Sequence, residues 1–387
     1  LRLIVFTAVA MGACAGGDGA DPGVEPGREI GGLADAERGR FLLGRALFER
    51  LATEQEGLGP LFNAERCSDC HDSPAAGGSG TRILVRKATR LEGGRCDLLE
   101  RVGGDNIQQR ATRLLAELGE APETIPPEAD ASVDVTAPPL FGLGLLEAVP
   151  DATLEALEDP GDADGDGISG RLPRLPDGRS ARFGRKGDAA TVSGFIDTAL
   201  RFELGLTTPD HPVEETRNGT PLPAGADPMP EPEMDARGLG LLSDFVRFLG
   251  PPARENVVGA AADSVARGEG HFEDLGCAGC HVPELRTGAA SATALSTRRV
   301  RAYTDLLLHD LGSGDEDVCG RDAAPGEYRT APLWGLRHRG LLMHDGSASD
   351  PRTAVSLHRG EGDASRRAFL ALPPEEQAVL LRFLDSL

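Results

Sequence analysis

Cys67-Ser68-Asp69-Cys70-His71 and Cys277-Ala278-Gly279-Cys280-His281 are two copies of one pattern, C-x-x-C-H. That pattern is the attachment site of c-type haem. Two thiols at this spacing can add to the two vinyl groups of one porphyrin, and the adjoining imidazole is then held where its nitrogen binds iron. A single C-x-x-C serves equally as a redox dithiol or as half of a zinc site. Two copies, each followed at once by His in a chain with an export-type amino terminus, select haem. The expectation is two covalently bound haem c groups, one on Cys67, Cys70 and His71 and one on Cys277, Cys280 and His281.

Working outward, each motif is preceded by the same helical face. Gly44-x-x-x-Phe48-x-x-Leu51 leads into the first, after an extra loop from Thr53 to Arg66, and Gly268-x-x-x-Phe272-x-x-Leu275 leads into the second. Each half also closes alike. Leu242, Phe245, Val246 and Leu249 fall at helical spacing before Pro251-Pro252, and Leu380, Phe383, Leu384 and Leu387 repeat the set after Pro373-Pro374. The fold expected is therefore mainly α, with two tandem cytochrome c-like haem domains joined by long ordered loops and little sheet. Residues 28–252 and 253–387 are the two domains, after a signal or lipoprotein-type segment and tether at residues 1–27.

The amino terminus reads Leu1-Arg2, an apolar run from Leu3 to Met11, then Gly12-Ala13-Cys14. A positive residue, a short apolar core and small residues describe a secretory signal. The run is far below the ~20 residues of a membrane-spanning helix. Cys14 directly after the small residues also resembles a bacterial lipoprotein signal, although Met11 stands where Leu is usual. Both readings imply export, to the periplasm or as an outer-membrane lipoprotein, with membrane contact only through a lipid on Cys14. The Gly/Asp/Pro-rich stretch to Gly27 reads as a flexible tether.

The 387 residues carry a formal net charge of −22. Such a surface repels nucleic acid and anionic lipid, and it suits a basic electron-donor protein as well as plain solubility. Of seven cysteines, one belongs to the signal and four to haem. Cys96 and Cys319 remain, either as a disulfide in an oxidising compartment or as two buried thiols.

Between the haem motifs, Asp162, Asp164 and Asp166 alternate ahead of Gly167, the first half of a calcium loop. Pro173 occupies the twelfth position, where a bidentate Glu belongs, so a solvated acidic turn is the other reading. Arg182-Phe183-Gly184-Arg185-Lys186 is a basic patch that either contacts haem propionates or is a solvated face. His344 and His358 lie in the second half, and spacing alone leaves both open as the sixth ligand to iron.

Several of these segments together resemble the bacterial di-haem oxidoreductases, also labelled thiol oxidoreductases, relatives of the di-haem cytochrome c peroxidases and of the methylamine-utilisation di-haem enzymes. The resemblance is carried by Gly59-Pro60-Leu61-Phe62-Asn63-Ala64, by Phe141 through Ala148, by the acidic turn Asp162 to Gly170, by Gly184 with its basic neighbours, and by Met343 to Gly346. It covers nearly everything after the tether. In the peroxidases the sixth ligand of the second haem follows a His-Asp-Gly segment by about fourteen residues. The resemblance thus implies His358 as that ligand on the second iron with His281, and His344 beside the haem or between the haems. The family usually has Trp after Arg-Phe-Gly, where this chain has Arg185. No His occurs between His71 and His211, which implies an open sixth position on the first iron, with Met229 and Met234 as competitors.

The implied activity is peroxide reduction, or oxidation of a small-molecule substrate, at the first haem. Electrons would enter through the second from a partner such as a small cytochrome or a cupredoxin. Glu147 is the expected acid/base, against a structural salt-bridged Glu. The rival readings are a non-catalytic di-haem electron carrier, with both irons six-coordinate, and an accessory to metal transport or assembly.

Overall fold

The computed structural model describes residues 23–80, 84–312, 314 and 317–387. The signal-type segment and the lipidation expected at Cys14 lie outside the described residues. Among those described, ten α-helices appear. They are α1 (Asp35–Glu49), α2 (Arg113–Glu117), α3 (Leu143–Glu147), α4 (Asp151–Glu155), α5 (Val192–Leu204), α6 (Ala236–Phe248), α7 (Ala260–Asp274), α8 (Pro351–Leu357), α9 (Asp363–Ala371) and α10 (Pro374–Leu384). Local chemistry sets several starts. Asp235 accepts from the Gly238 amide at 2.7 Å at the head of α6, and Asp350 from the Thr353 amide at 2.9 Å ahead of α8. Pro374 opens α10, where its missing N–H costs nothing.

The repeated Gly-x-x-x-Phe face has one structural meaning in both halves. α1 lies on α6, and a Cβ on Gly44 would strike the Leu241 carbonyl and sit 2.9 Å from Phe245 Cβ. α7 lies on α10, and a Cβ on Gly268 would strike the Val379 carbonyl and sit 2.6 Å from Phe383 Cβ. Only glycine permits so close an approach. Four residues on, the phenylalanine fills the space beside the crossing. The Phe48 and Phe245 rings are 4.8 Å apart between centroids, and those of Phe272 and Phe383 are 5.4 Å apart.

Each crossing anchors a core. The first gathers Phe41, Phe48, Leu145, Leu146, Leu200, Phe245 and Val246, and extends to Leu285, Leu306, Leu307 and Trp334. The second gathers Phe272, Tyr303, Phe369, Leu380 and Phe383. Segment 285–307 therefore packs against the first core although it follows the second haem motif.

The expectation of a mainly α chain with little sheet is corrected. Helix accounts for 33% and strand for 14%, in a mixed architecture with several small sheets. The largest is antiparallel and centred on β2 (Val85–Glu92), with β1 (Leu61–Phe62) lying outside it. β2 pairs with β3 (Arg95–Asp97), β4 (Asn106–Ile107) and β6 (Ala131–Val135). The first strand, β1, pairs instead with β5 (Arg110–Ala111). In the second half β7 (Leu285–Arg286) pairs with β8 (Arg299–Val300), and β9 (Leu308–Asp310) with β10 (Glu327–Arg329). β2 reads Val-Arg-Lys-Ala-Thr-Arg-Leu-Glu, with charges on both faces, so no two-residue alternation marks it as a strand. Those charges are matched by partners distant in sequence. Arg86 pairs across the sheet with Asp134 at 2.8 Å, and Lys87 with Asp105 at 2.9 Å.

Cys96 in β3 is disulfide-bonded to Cys319 over a sequence separation of 223 residues. Closing so long a loop restricts the unfolded chain and contributes about 2–4 kcal/mol. Among the described residues, no helix is long and apolar enough to cross a membrane.

Candidate functional site

The two C-x-x-C-H loops fold alike. Cys67–Asp69 and Cys277–Gly279 each form one 3₁₀ turn, closed by the following Cys amide onto the carbonyl of the first Cys. The His71 amide donates to the Cys67 carbonyl at 3.1 Å and the His281 amide to the Cys277 carbonyl at 3.0 Å. The first turn brings Cys67 and His71 to one cavity, and the second brings Cys277, Cys280 and His281 to another. Beyond each imidazole stands the phenylalanine of the helix crossing, with centroids 6.3 Å apart in both halves.

Each imidazole is oriented by a backbone carbonyl. His71 Nδ1 donates to the Gly78 carbonyl at 3.0 Å, and His281 Nδ1 to the Tyr303 carbonyl at 3.0 Å. A carbonyl can only accept, so Nδ1 carries the proton and Nε2 keeps its lone pair for a metal. Burial lowers the His71 pKa against the pull of the Gly78 and Pro138 carbonyls. Burial, reinforced by nearby His358, takes His281 down to about 4. Both imidazoles are therefore neutral near pH 7.

Redox dithiols favour the thiolate through a lowered pKa, whereas burial acts in the opposite direction on these four thiols. Burial pushes Cys67 and Cys70 up to about 12 and Cys277 to about 11, and it raises Cys280 as well.

The first cavity is almost wholly apolar. Phe48, Leu140, Phe183, Phe195, Ile196 and Leu242 face Cys67 and His71, and α5 supplies one whole face. Among the described residues, its lining holds one imidazole and no methionine. Met234 is buried in the first core instead, and His211 pairs with Asp197 at 2.9 Å. At the end of the same face of α5 stands Glu203, close enough to raise both thiols. Its carboxylate accepts from Asn106 Nδ2 at 2.7 Å and from Asn63 Nδ2 at 3.1 Å. Burial raises its pKa, against those two amides. Asn106 Oδ1 is buried there without a donor.

The second, larger cavity draws on both halves. Cys277, Cys280 and His281 share it with His358, His344, His309 and Met343, and with Thr136 through Pro139 and Arg185 from the first half. His358 Nδ1 donates to the Ala354 carbonyl at 2.7 Å, so its Nε2 is free in the way that His281 Nε2 is. Burial lowers its pKa too. His344 stacks on Tyr328 at 4.1 Å between centroids, with Nε2 4.0 Å from Asp317. It lies at the cavity wall, and its carbonyl accepts from the Thr136 amide at 3.1 Å.

Glu147 is placed away from either cavity lining. It accepts from Arg247 Nε at 2.5 Å and from the Val192 amide at 2.8 Å, which fixes the start of α5 onto α6. Arg182, from the basic patch, is spent on Asp151 and on the carbonyls of Leu146, Glu147 and Val149.

In the acidic turn, Asp162 and Asp164 gather with Asp159, one oxygen from each within 4.8 Å. Asp166 lies outside that group and accepts from the Ile168 amide at 2.8 Å. The turn docks on the second cavity through Ile168, and Ser169 donates to Glu361 at 2.9 Å from both its amide and its hydroxyl. Sequence reading missed a second carboxylate group, Glu214, Asp227, Glu231 and Glu233. Its members are scattered through a Pro-rich loop but gather within 4.8 Å of one another, with Glu231 and Glu233 on the Thr207 hydroxyl, an arrangement that can take up a cation or protons.

His309 was missed as well. It is enclosed at 3% exposure, with Nε2 2.8 Å from Asp305 and Nδ1 2.8 Å from Glu361. Burial opposes protonation, but the contacts to Asp305, Cys280 and Glu361 outweigh it and raise the imidazole to about 12. No motif surrounds His309 in the sequence.

The family model described as "di-haem oxidoreductase, putative peroxidase" matches residues 131–387. Among solved structures, the chain is similar to hydrazine synthase of Kuenenia stuttgartiensis, with 12% identity, a TM-score of 0.42 and coverage of 100% of each chain. It is also similar to a MauG-like protein associated with microbial copper homeostasis, with 16% identity, a TM-score of 0.41 and coverage of 94% and 93%. No curated protein matches the chain.

Proposed function

The chain belongs to the di-haem oxidoreductase family, and on that premise we propose that it is an exported di-haem c-type oxidoreductase. It reduces a peroxide, or oxidises a small-molecule substrate, at the first haem, and electrons pass through the second. The observation that carries this reading is the asymmetry of the two cavities. One oriented imidazole lines the first, while two with free Nε2 atoms, His281 and His358, line the second.

The residues fit the cofactor. Apolar walls beside Cys67 and His71 in one half, and beside Cys277, Cys280 and His281 in the other, suit a porphyrin, and the second cavity also holds Arg339, whose buried Nε has no partner. Each bound haem supplies an iron whose sixth position, filled or open, separates electron transfer from catalysis.

The residues divide the remaining work. His71 and His281 are held by carbonyls in the tautomer that ligates, and His358 stands ready in the second cavity. Glu203 is the carboxyl suited to hold and return a proton at the first site, because burial keeps it nearer neutral pH than a free Glu. Asn106, which donates to it, is itself buried, with its Oδ1 unpaired. Glu147, locked to Arg247, positions α5.

The same reading includes one attachment loop in each of residues 28–252 and 253–387, calcium at the acidic turn, and a small cytochrome or cupredoxin as electron partner. Titrating the reduced protein with carbon monoxide tests it. One haem of the two should bind, and hydrogen peroxide should be consumed when a reduced cytochrome is supplied. Binding by neither haem would favour the electron-carrier reading.

A further inference from the structure

Three guanidiniums in the second cavity have no carboxylate partner among the described residues. Arg185 Nη2 donates to the Thr136 carbonyl at 2.6 Å and hydroxyl at 2.9 Å. Arg329 Nε donates to the Gly184 carbonyl at 2.8 Å, and its Nη1 to the Thr330 carbonyl at 3.1 Å. Arg339 Nη2 donates to the carbonyls of Pro332 at 2.6 Å and Trp334 at 3.2 Å, and its Nε is buried without any acceptor. All three line the cavity that Cys277, Cys280 and His281 line. Each is enclosed by protein yet keeps part of its surface open, and that surface faces the cavity.

In a chain of net charge −22, acidic partners are abundant. Other enclosed arginines have them: Arg171 pairs with Glu327, Arg182 with Asp151, and Arg247 with Glu147. Even Glu361, the carboxylate in the lining of this cavity, is turned onto His309. Gathering three unpaired cations around one space is costly unless an anion occupies it. Burial lowers all three guanidiniums to about 10; Arg329 adds to the lowering of Arg185 and Arg185 to that of Arg339, against a weaker pull from Tyr328 and Asp345 on Arg185 and from Asp188 and Asp305 on Arg329. A guanidinium fork matches a carboxylate edge to edge.

We propose that Arg185, Arg329 and Arg339 form a clamp for a carboxylate pair, the two propionates of the second haem. Arg185 comes from the first half of the chain, at the position where the family usually has Trp. The other two come from the second half. Attachment of the second haem therefore ties the halves together through charge, beyond what the disulfide does. The inference rests on the di-haem reading above.

The test is made on holoprotein carrying Arg185→Gln, Arg329→Gln or Arg339→Gln singly, with Arg182→Gln as the control. Each propionate that loses a guanidinium keeps more negative charge, which favours ferric iron. The midpoint potential of the second haem should fall in each clamp variant, and its propionate bending band in resonance Raman should shift. The first haem should hold its potential, and Arg182→Gln should leave the second haem unchanged. Where a Gln variant fails to fold, the Lys variant keeps the charge and loses the fork, so it should shift the Raman band while largely keeping the potential.

An unchanged band and potential in all clamp variants, or shifts confined to the first haem, would overturn the proposal. So would a second-haem spectrum that responds to added acetate, loses that response in the variants, and shows an unmoved propionate band. That pattern assigns the clamp to a free carboxylate. A holoprotein mass without two haems would instead overturn the di-haem premise, a failure distinct from these.

Discussion

His281 and His358 line one cavity, and each donates its Nδ1 proton to a backbone carbonyl, that of Tyr303 at 3.0 Å and that of Ala354 at 2.7 Å. Two neutral imidazoles fixed in the same tautomer, each with Nε2 left free, suit bis-imidazole ligation of a haem iron. Replacing His358 with Ala should turn the second haem high-spin and raise its potential, leaving the first unchanged. His344→Ala should keep the second haem low-spin, because the His344 ring is stacked on Tyr328. Optical spectra of the two ferric variants decide, and the opposite pattern would reverse the assignment.

The paired glycines at the helix crossings predict a stability effect in each half. Gly44→Ala and Gly268→Ala each place a methyl against a backbone carbonyl, which cannot move without separating the helices. Overpacking of this kind costs about 1–3 kcal/mol or more. Denaturant unfolding should show the loss in both variants. Gly39→Ala, on α1 with open space around it, should show none.

Acid/base chemistry at the first site should follow Glu203. Glu203→Gln should lower peroxide turnover by roughly 10²–10⁴-fold while both haems stay attached. Glu147→Gln should instead cost stability, about 1–3 kcal/mol from the broken Arg247 contact, with turnover per folded molecule nearly kept. Steady-state rates together with melting curves separate the two. Equal activity in Glu203→Gln and the parent would remove Glu203 from the mechanism.

Stability should fall as pH rises because of the Glu214 cluster. Burial and the neighbouring Glu233 and Glu231 raise Glu214 to about 10, and Asp227 and Glu233 are raised as well. The folded chain therefore holds more protons than the unfolded one between the ordinary Glu range and about pH 10. Stability then declines across that window and is fullest below it. Glu214→Gln should flatten the decline and raise the melting temperature at pH 8. An unchanged slope would show that the cluster does not titrate this way.

The shared fold of the two C-x-x-C-H loops was legible because the pattern is local, with two thiols and an imidazole within five residues. The Gly-x-x-x-Phe faces were legible for the same reason, since both residues sit on one helix. The sheet around β2 was not. Its strand carries charge on both faces, and its partners Asp134 and Cys319 are distant in sequence. His309, Glu203, Arg329 and Arg339 were missed likewise, because each takes its role from residues that only the tertiary fold brings near, whereas Arg185 lies in the basic patch that the sequence already offered for propionate contact. The Phe62-Asn63-Ala64 segment, one of those that carry the family resemblance, did contain one signal, since Asn63 is 2% exposed and holds Glu203.

Electron spin resonance of the resting ferric holoprotein tests the asymmetry of the two cavities most directly. It should show one high-spin and one low-spin haem in equal amounts, with cyanide converting only the high-spin signal. Two low-spin haems that bind neither cyanide nor, when reduced, carbon monoxide would contradict it.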